Sequence, residues 1–78
     1  MKYYVIKCID FGERYTYYVG NGSYRVNKER YAVITETESQ AKSYKSKAIA
    51  KNAYEKLFET CVNLTLEYEK IEVAERSQ

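Results

Sequence analysis

The sequence predicts an α+β fold, in which a mostly antiparallel four-stranded sheet has one helix packed on one face, in the order β-β-β-α-β. Three stretches rich in tyrosine and β-branched residues come first, and their apolar and polar side chains alternate as in half-buried strands. After residue 46 the apolar period changes from two to 3.6, which indicates a helix. A last alternating stretch predicts the fourth strand.

The first two predicted strands, residues 2–9 and 14–19, form a hairpin around a turn at Gly12. In each strand one alternating set of side chains is more apolar than the other. We expect the more apolar set to face the core. These residues are Tyr4, Ile6 and Cys8 in the first strand, and Tyr15, Tyr17 and Val19 in the second.

The middle of the chain combines a strong turn signal with long polar stretches. Residues 20–23, GNGS, predict a turn, and the polar run 24–30 favours no regular element. Residues 31–35, YAVIT, predict the third strand. Residues 36–45 are then a polar connection to the helix.

The predicted helix begins after Ser46, a suitable N-cap residue, and ends between residues 60 and 63. Its apolar stripe must be buried, and the sheet offers a face for it. The other face of the sheet is then open to water, to a partner or to a second copy of the chain. The stripe consists of Ile49, Ala50, Ala53, Tyr54, Leu57, Phe58 and Cys61.

The fourth predicted strand covers residues 64–73, and its alternation breaks at Ile71 and Val73. We therefore expect one domain of residues 1–73 and a frayed tail at residues 74–78. The residues expected to face inward are Leu64, Leu66 and Tyr68, and those expected to face outward are Thr65, Glu67 and Glu69.

The composition argues against an enzyme and against a bound metal. The chain has no histidine, so the commonest general base is missing, and a Ser-His or Cys-His nucleophile is impossible. Its two cysteines, Cys8 and Cys61, cannot complete a four-ligand zinc site by themselves and are expected to be buried thiols. We expect a non-enzymatic protein with no cofactor.

The apolar runs indicate a location away from membranes. Tyr3 to Ile6 and Tyr31 to Ile34 are the longest such runs, and both are far too short to span a bilayer. The first residues also lack the pattern of a signal peptide. We therefore expect a cytoplasmic protein.

Charge is unevenly distributed along the chain. The net charge of +2 does not by itself indicate nucleic-acid binding, but residues 1–56 carry a net +5 and residues 57–78 a net −3. The basic charge is densest in residues 42–56, which hold five lysines and one glutamate. The first three of them, Lys42, Lys45 and Lys47, cluster at the start of the predicted helix, although the helix dipole favours anions there. Helix stability therefore does not explain them.

Two interpretations of this basic segment stay open. A helix N-terminus surrounded by lysines is a suitable phosphate site. The alternative is a solvated polar face whose charges hold no ligand. The candidate nucleic-acid-binding residues of the segment are Lys42, Lys45, Lys47 and Lys51.

The chain has ten tyrosines, more than the predicted core can use. Tyr3 and Tyr18 are expected to project from adjacent strands onto the open face, beside Lys7 and Arg14. Such a mixture of aromatic and basic side chains is typical of single-strand nucleic-acid platforms. Tyrosine and arginine are also enriched at protein interfaces, so the face could equally hold a protein. The other tyrosines expected outside the core are Tyr24, Tyr31 and Tyr44.

In its opening MKYYVIKC and its block AKSYKSKAIAKNAYEKL, residues 41–57, the chain resembles small accessory proteins of Gram-positive phages and prophages, particularly those of staphylococci. The resemblance implies a cytoplasmic protein made during infection or carried by a prophage. It implies a host protein or nucleic acid as the partner. It also implies that the protein is not an enzyme, because few members of this group are enzymes. It supplies no functional residues to transfer.

The sequence thus leads to two hypotheses. The first is a small nucleic-acid-binding protein that prefers single strands, with the lysines on phosphates and Arg14, Lys7, Tyr3 and Tyr18 as a stacking surface. The alternative is a protein-binding modulator of a host enzyme, which acts through the tyrosine-rich surface. Either protein could form a homodimer through the open sheet face.

Overall fold

The structure is a computed structural model that describes residues 1–77. Within these residues four antiparallel strands form one sheet in the order β3-β2-β1-β4, and one main helix lies on it, so the predicted α+β fold is confirmed. The strands are β1 (Lys2–Asp10), β2 (Thr16–Val26), β3 (Glu29–Thr35) and β4 (Tyr68–Ser77). The helices are α1 (Lys47–Thr60), the short α2 (Val62–Leu66) and a single 3-10 turn at Glu38–Gln40.

β1 lies at the centre of the sheet and pairs with β4 along its whole length. The register runs from Lys2 opposite Ser77 to Ile9 opposite Lys70, and then shifts so that Asp10 pairs with Tyr68. Residues 74–77 therefore belong to a strand, and the expected frayed tail is wrong for them. They are ordered because alternate backbone groups bond to the start of β1. Residue 78, the end of the expected tail, lies outside the described residues.

β2 and β3 are longer than their sequences predict. β2 continues through the GNGS segment, where the register with β3 shifts between Val19 and Ser23, and it ends at Val26. The expectation of a turn at 20–23 and of no element at 24–30 is therefore wrong. These polar residues form a hairpin because its pairing uses backbone groups, and every side chain from 21 to 30 is exposed.

The register shift makes residues 20–22 a bulge in β2. Residues 42–44, just before α1, lie between β1 and β2 where this bulge separates the two strands. The N–H of Lys42 donates to the carbonyl of Val19 at 3.0 Å. Tyr4 and Tyr44 exchange two backbone hydrogen bonds of 2.9 and 2.8 Å, as two paired strands do. Residues 42–44 thus complete the sheet where β2 has turned away from β1.

The core lies between the sheet and α1. Tyr44 belongs to it with 8% of its surface exposed, so its expected surface position is wrong: its backbone pairing with Tyr4 holds it against the sheet. The buried core residues are Ile6, Cys8, Val19, Ala32, Tyr44, Ala50, Cys61 and Leu64. Tyr4, Tyr17, Ile34, Ala53, Tyr54, Leu57, Tyr68, Ile71 and Val73 pack against them.

Two residues that were expected in the core are exposed. Tyr15 precedes β2 and is 62% exposed. Leu66 is 74% exposed because residues 62–66 form a helix rather than a strand. Residues two apart point in nearly opposite directions on a helix, so Leu64 is buried and Leu66 is not.

α1 begins and ends where its sequence predicts. The side chain of Ser46 accepts a hydrogen bond from the N–H of Ile49 at 3.2 Å, and Cys61 caps the other end. Ile49 and Phe58, at the borders of the apolar stripe, are 54% and 42% exposed. After α1 the chain turns along the free edge of β3, where Cys61 forms a parallel bridge with Arg30.

Candidate nucleic-acid interface

The structure divides seven of the eight predicted binding residues between the two faces of the sheet. Lys42, Lys45, Lys47 and Lys51 lie on the side of α1, around its start. Lys7, Tyr3 and Tyr18 lie on the opposite face, in register positions of β1 and β2 that alternate with the core residues. Arg14 is exposed in the turn between these strands. The sheet therefore separates the lysines from the expected stacking surface.

Ion pairs occupy two of the cations of the face opposite α1, Lys7 and Arg76. Lys7 Nζ lies 3.0 Å from Glu72 Oε1, directly across the β1–β4 pair. Arg76 Nε donates to Glu38 Oε1 at 2.9 Å. The hydrogen bond from Lys7 lowers the pKa of Glu72, and the bond to Glu38 raises the pKa of Arg76. Internal carboxylates therefore already neutralise these two cations.

The same face is more closed than its sequence predicts. Val5 occupies it, because its neighbours Tyr4 and Ile6 point toward α1, yet only 1% of Val5 is exposed. Tyr3 and Tyr18 are half-buried. A hydrogen bond that Arg76 donates to the Tyr18 hydroxyl oxygen also contributes to the raised pKa of Arg76. With Val5 buried and both rings half-buried, this face offers less free surface for stacking than an open sheet face.

The lysines on the side of α1 are exposed, and within residues 1–77 they have no carboxylate at ion-pair distance. The first turn of α1 also has no acidic residue. Its free N–H groups and partial positive charge are therefore not neutralised by its own side chains. Lys56, which the sequence did not single out, shares this unpaired state.

A cleft of about 280 Å³ lies between β2, residues 42–44 and α1. Lys42 and Lys56 both line it, and Lys42 Nζ lies 5.5 Å from the ring centroid of Tyr44. The ring quadrupole attracts the ammonium and helps to hold it at the cleft. The other lining residues are Val19, Gly20, Gly22, Ser23, Tyr44, Ala53 and Leu57.

The glycine-containing bulge shapes one wall of this cleft. A Cβ at Gly20 would lie 3.1 Å from Val33 Cγ1, so a side chain at that position would crowd Val33 on β3. Gly22 has a φ of +85°, which favours glycine, and open space around it. Gly20 and Gly22 therefore present bare backbone to the cleft, and Asn21 between them does not line it. GNGS acts as a bulge rather than a turn, a distinction that its sequence alone does not make.

The β2–β3 hairpin carries aromatic and basic residues that are not among the eight predicted binding residues. Tyr24 and Tyr31 stack with ring centroids 5.5 Å apart and planes at 14°. Arg25 pairs across the hairpin with Arg30, and both are exposed. The signal lies in the polar run 24–30, which also contains Lys28, and in Tyr31 at the start of the third predicted strand, but the run by itself favours no regular element.

Neither a cluster of potential metal ligands nor a helix able to span a membrane is found in the described part of the chain. Among residues 1–77 no group of three or more histidine, cysteine or acidic side chains could hold a metal ion. None of the helices described there combines the length and the apolar character needed to cross a bilayer. Comparison of the chain with protein-family models, with curated proteins and with solved structures gives no match.

Proposed function

We propose that this chain is a non-enzymatic nucleic-acid-binding protein that prefers single strands. The observation that carries the proposal is the group of exposed lysines around the start of α1 and its cleft, which have no carboxylate partner within residues 1–77. These lysines bind phosphates, and their counterions are released when they do so. The residues are Lys42, Lys45, Lys47, Lys51 and Lys56.

The contrast between the two faces of the sheet supports this assignment. The cations Lys7 and Arg76 lie within 3.0 Å of carboxylates, so a phosphate would have to displace an internal partner there. The lysines near α1 have no such competitor. We therefore assign phosphate binding to the α1 side, and Lys7, Tyr3 and Tyr18 have no primary role in this proposal.

The preference for single strands rests on the exposed aromatic pair of the β2–β3 hairpin, the hairpin that also forms one wall of the cleft. Ser23 lines the cleft, and the next residue, Tyr24, is 51% exposed and stacks on Tyr31. A base that is unpaired can stack on such a ring, whereas a base within a duplex cannot. Each such stack is worth about 1–3 kcal/mol. The proposal places the protein in the cytoplasm, and its likeness to phage accessory proteins makes that the cytoplasm of a host cell.

Titration of labelled single-stranded and duplex oligonucleotides tests the proposal. At about 50 mM salt we expect binding with a preference for the single strand, and at about 200 mM salt binding that is weaker by tenfold or more. The triple variant Lys45→Ala, Lys47→Ala, Lys51→Ala should weaken binding and flatten the salt dependence.

A charge-matched triple variant controls for net charge. Lys2, Lys28 and Lys70 are exposed lysines outside the proposed surface, and their replacement by alanine removes the same three charges. This variant should bind nearly as well as the parent. Equal weakening in both triple variants, or no binding at low salt, would contradict the proposed site.

A second function, modulation of a host protein, is favoured by the exposed apolar side chains at one end of the molecule. Phe11 and Tyr15 flank the turn in which the N–H of Tyr15 donates to Asp10 Oδ1. Leu66 lies two residues before Tyr68, the partner of Asp10 in the sheet. Phe11, Tyr15 and Leu66 are each more than 60% exposed. If this end binds a protein, Phe11→Ser with Leu66→Ser should abolish capture of that protein from a host lysate, and the lysine variants should not.

A further inference from the structure

We propose that the cleft between β2 and α1 holds one nucleotide unit of the bound strand. Its phosphate lies between Lys42 and Lys56, and its base lies against the apolar wall of the cleft. The inference rests on the proposed function and identifies the point on the lysine surface at which a single nucleotide is recognised.

The charge of the cleft suits a phosphate. Lys42 belongs to residues 42–44 and Lys56 to α1, so two ammonium groups from different parts of the fold line one cavity. None of the lining residues is acidic, and neighbouring Glu55 and Glu59 are not among them. Within residues 1–77 neither lysine is within ion-pair distance of a carboxylate. A phosphate therefore meets two cations without displacing an internal partner.

The rest of the lining suits a base rather than a second charged group. Val19, Ala53 and Leu57 are apolar, and Ser23 provides a hydroxyl that can donate or accept a hydrogen bond. Apolar walls with a small number of placed polar groups are typical of small-molecule sites. The volume of about 280 Å³ lies just below the usual range of about 300–1,000 Å³ for such sites. It therefore suits one nucleotide rather than a longer segment.

Gly20 and Gly22, the two glycines of the bulge, permit close approach of the ligand. Residues 20–22 lie between the last and first regular pairs of the β2–β3 ladder, Val19 with Ile34 and Ser23 with Ala32. Their peptide groups are therefore not engaged in regular ladder positions. A Cβ at Gly22 would meet no atom within 4 Å, so the space in front of this backbone is open. Glycine allows a ligand to contact the main chain directly.

The test uses the whole protein labelled with ¹⁵N and three small probes: adenosine 5′-monophosphate, adenosine and inorganic phosphate. The mononucleotide should shift the amide resonances of Gly20, Gly22, Ser23 and Ala53. Adenosine and phosphate should each bind at least tenfold more weakly than the mononucleotide, because each makes half of the contacts. Equal binding of phosphate and mononucleotide would overturn the recognition of a base.

Two variants separate the roles of charge and shape. Lys56→Ala should weaken mononucleotide binding about tenfold, whereas Lys70→Ala on β4, which also removes one exposed lysine, should not. Ala53→Leu keeps every charge and fills the cleft, so it should abolish mononucleotide binding. Its far-ultraviolet circular dichroism and thermal midpoint report whether it folds.

The outcomes distinguish this inference from the function on which it rests. If oligonucleotides bind and depend on Lys45, Lys47 and Lys51, but Lys56→Ala and Ala53→Leu leave binding unchanged, the cleft inference is wrong and the proposed function stands. If neither oligonucleotides nor the mononucleotide bind, both are wrong. Loss of mononucleotide binding in both variants, with oligonucleotide binding reduced but still salt-dependent, supports both.

Discussion

The side chain of Asn63 makes with the backbone of Ala32 the two hydrogen bonds that a neighbouring strand would make. Asn63 Nδ2 donates to the Ala32 carbonyl, and Asn63 Oδ1 accepts from the Ala32 N–H, both at 3.0 Å. Ala32 lies on β3, an edge strand of the sheet, and both residues are buried. The amide thus satisfies two backbone groups that would otherwise be removed from water without partners.

Replacement of Asn63 by alanine should therefore destabilise the fold strongly. It leaves the N–H and the carbonyl of Ala32 unsatisfied and opens a small cavity, and we expect a loss of about 2–4 kcal/mol in the free energy of unfolding. Urea denaturation measures this loss. Asn52→Ala, at an exposed position of α1, should change stability by less than about 0.5 kcal/mol. A similar small effect at Asn63 would show that the buried amide is dispensable.

The contact between Gly20 and Val33 predicts a measurable coupling. A methyl group at position 20 would lie 3.1 Å from Val33 Cγ1, so Gly20→Ala should destabilise the protein by about 1 kcal/mol. In the Val33→Ala background the same change should cost less, because the crowded methyl group is gone. Gly22→Ala is the matched comparison: its cost arises from a φ of +85°, so Val33→Ala should not alter it. A double-mutant cycle gives both coupling energies.

The two thiols should be inert in the native protein. Burial raises the pKa of Cys8 to about 12, and Cys61 is 1% exposed. Because the thiolate is the reactive form, labelling by iodoacetamide at pH 8 should proceed only as fast as the protein unfolds. Rapid labelling of either thiol under native conditions would contradict the burial described for this core.

The raised pKa of Cys8 also predicts a loss of stability at alkaline pH. An unfolded thiol ionises near its ordinary pKa of about 8.5, whereas folded Cys8 stays neutral until about pH 12. Its contribution is thus fully present below pH ~8.5 and is lost as the pH rises toward the folded value. Between pH 8.5 and 10.5 the urea midpoint should fall less steeply in Cys8→Ala than in the parent.

The ion pair between Lys7 and Glu72 predicts an effect at acidic pH. Lys7 lowers the pKa of Glu72 below its ordinary range. The stabilisation is therefore present above the unfolded pKa of about 4.3 and is lost as the pH falls through the lower, folded value. The effect should be small, because 44% of the Glu72 side chain is exposed. Lys7→Met should flatten the decline in stability between pH 5 and pH 3, and Lys28→Met should not.

The elements that could be predicted from the sequence are those specified by neighbouring residues. Ser46 and the apolar spacing after it are local signals, and α1 follows them at both ends. The extension of β2 through residues 20–26 could not be read in this way, since its pairing depends on backbone bonds to β3 rather than on its own side chains. The burial of Tyr44 likewise depends on Tyr4, which lies forty positions earlier.

The candidate site shows the same division. The cluster of lysines at the start of α1 is a property of consecutive residues, so the sequence indicates it directly. The cleft is not, because Lys42 and Lys56 share it only after residues 42–44 have been inserted beside β1. Which cations are already paired also depends on the register of β4. The sequence shows Lys7 and Glu72 but not that they face each other.

The pairing of β1 with β4 governs when the protein can fold during its synthesis. Partners in this pair lie 58 positions apart at Asp10 and Tyr68, and 75 apart at Lys2 and Ser77. One edge of β1 therefore stays without its partner until β4 has left the ribosome, and such distant contacts make folding slow. At about 5–20 residues per second the nascent chain exposes this unpaired strand for several seconds. In this interval a chaperone, or the strand of another chain, can bind the edge that β4 later covers.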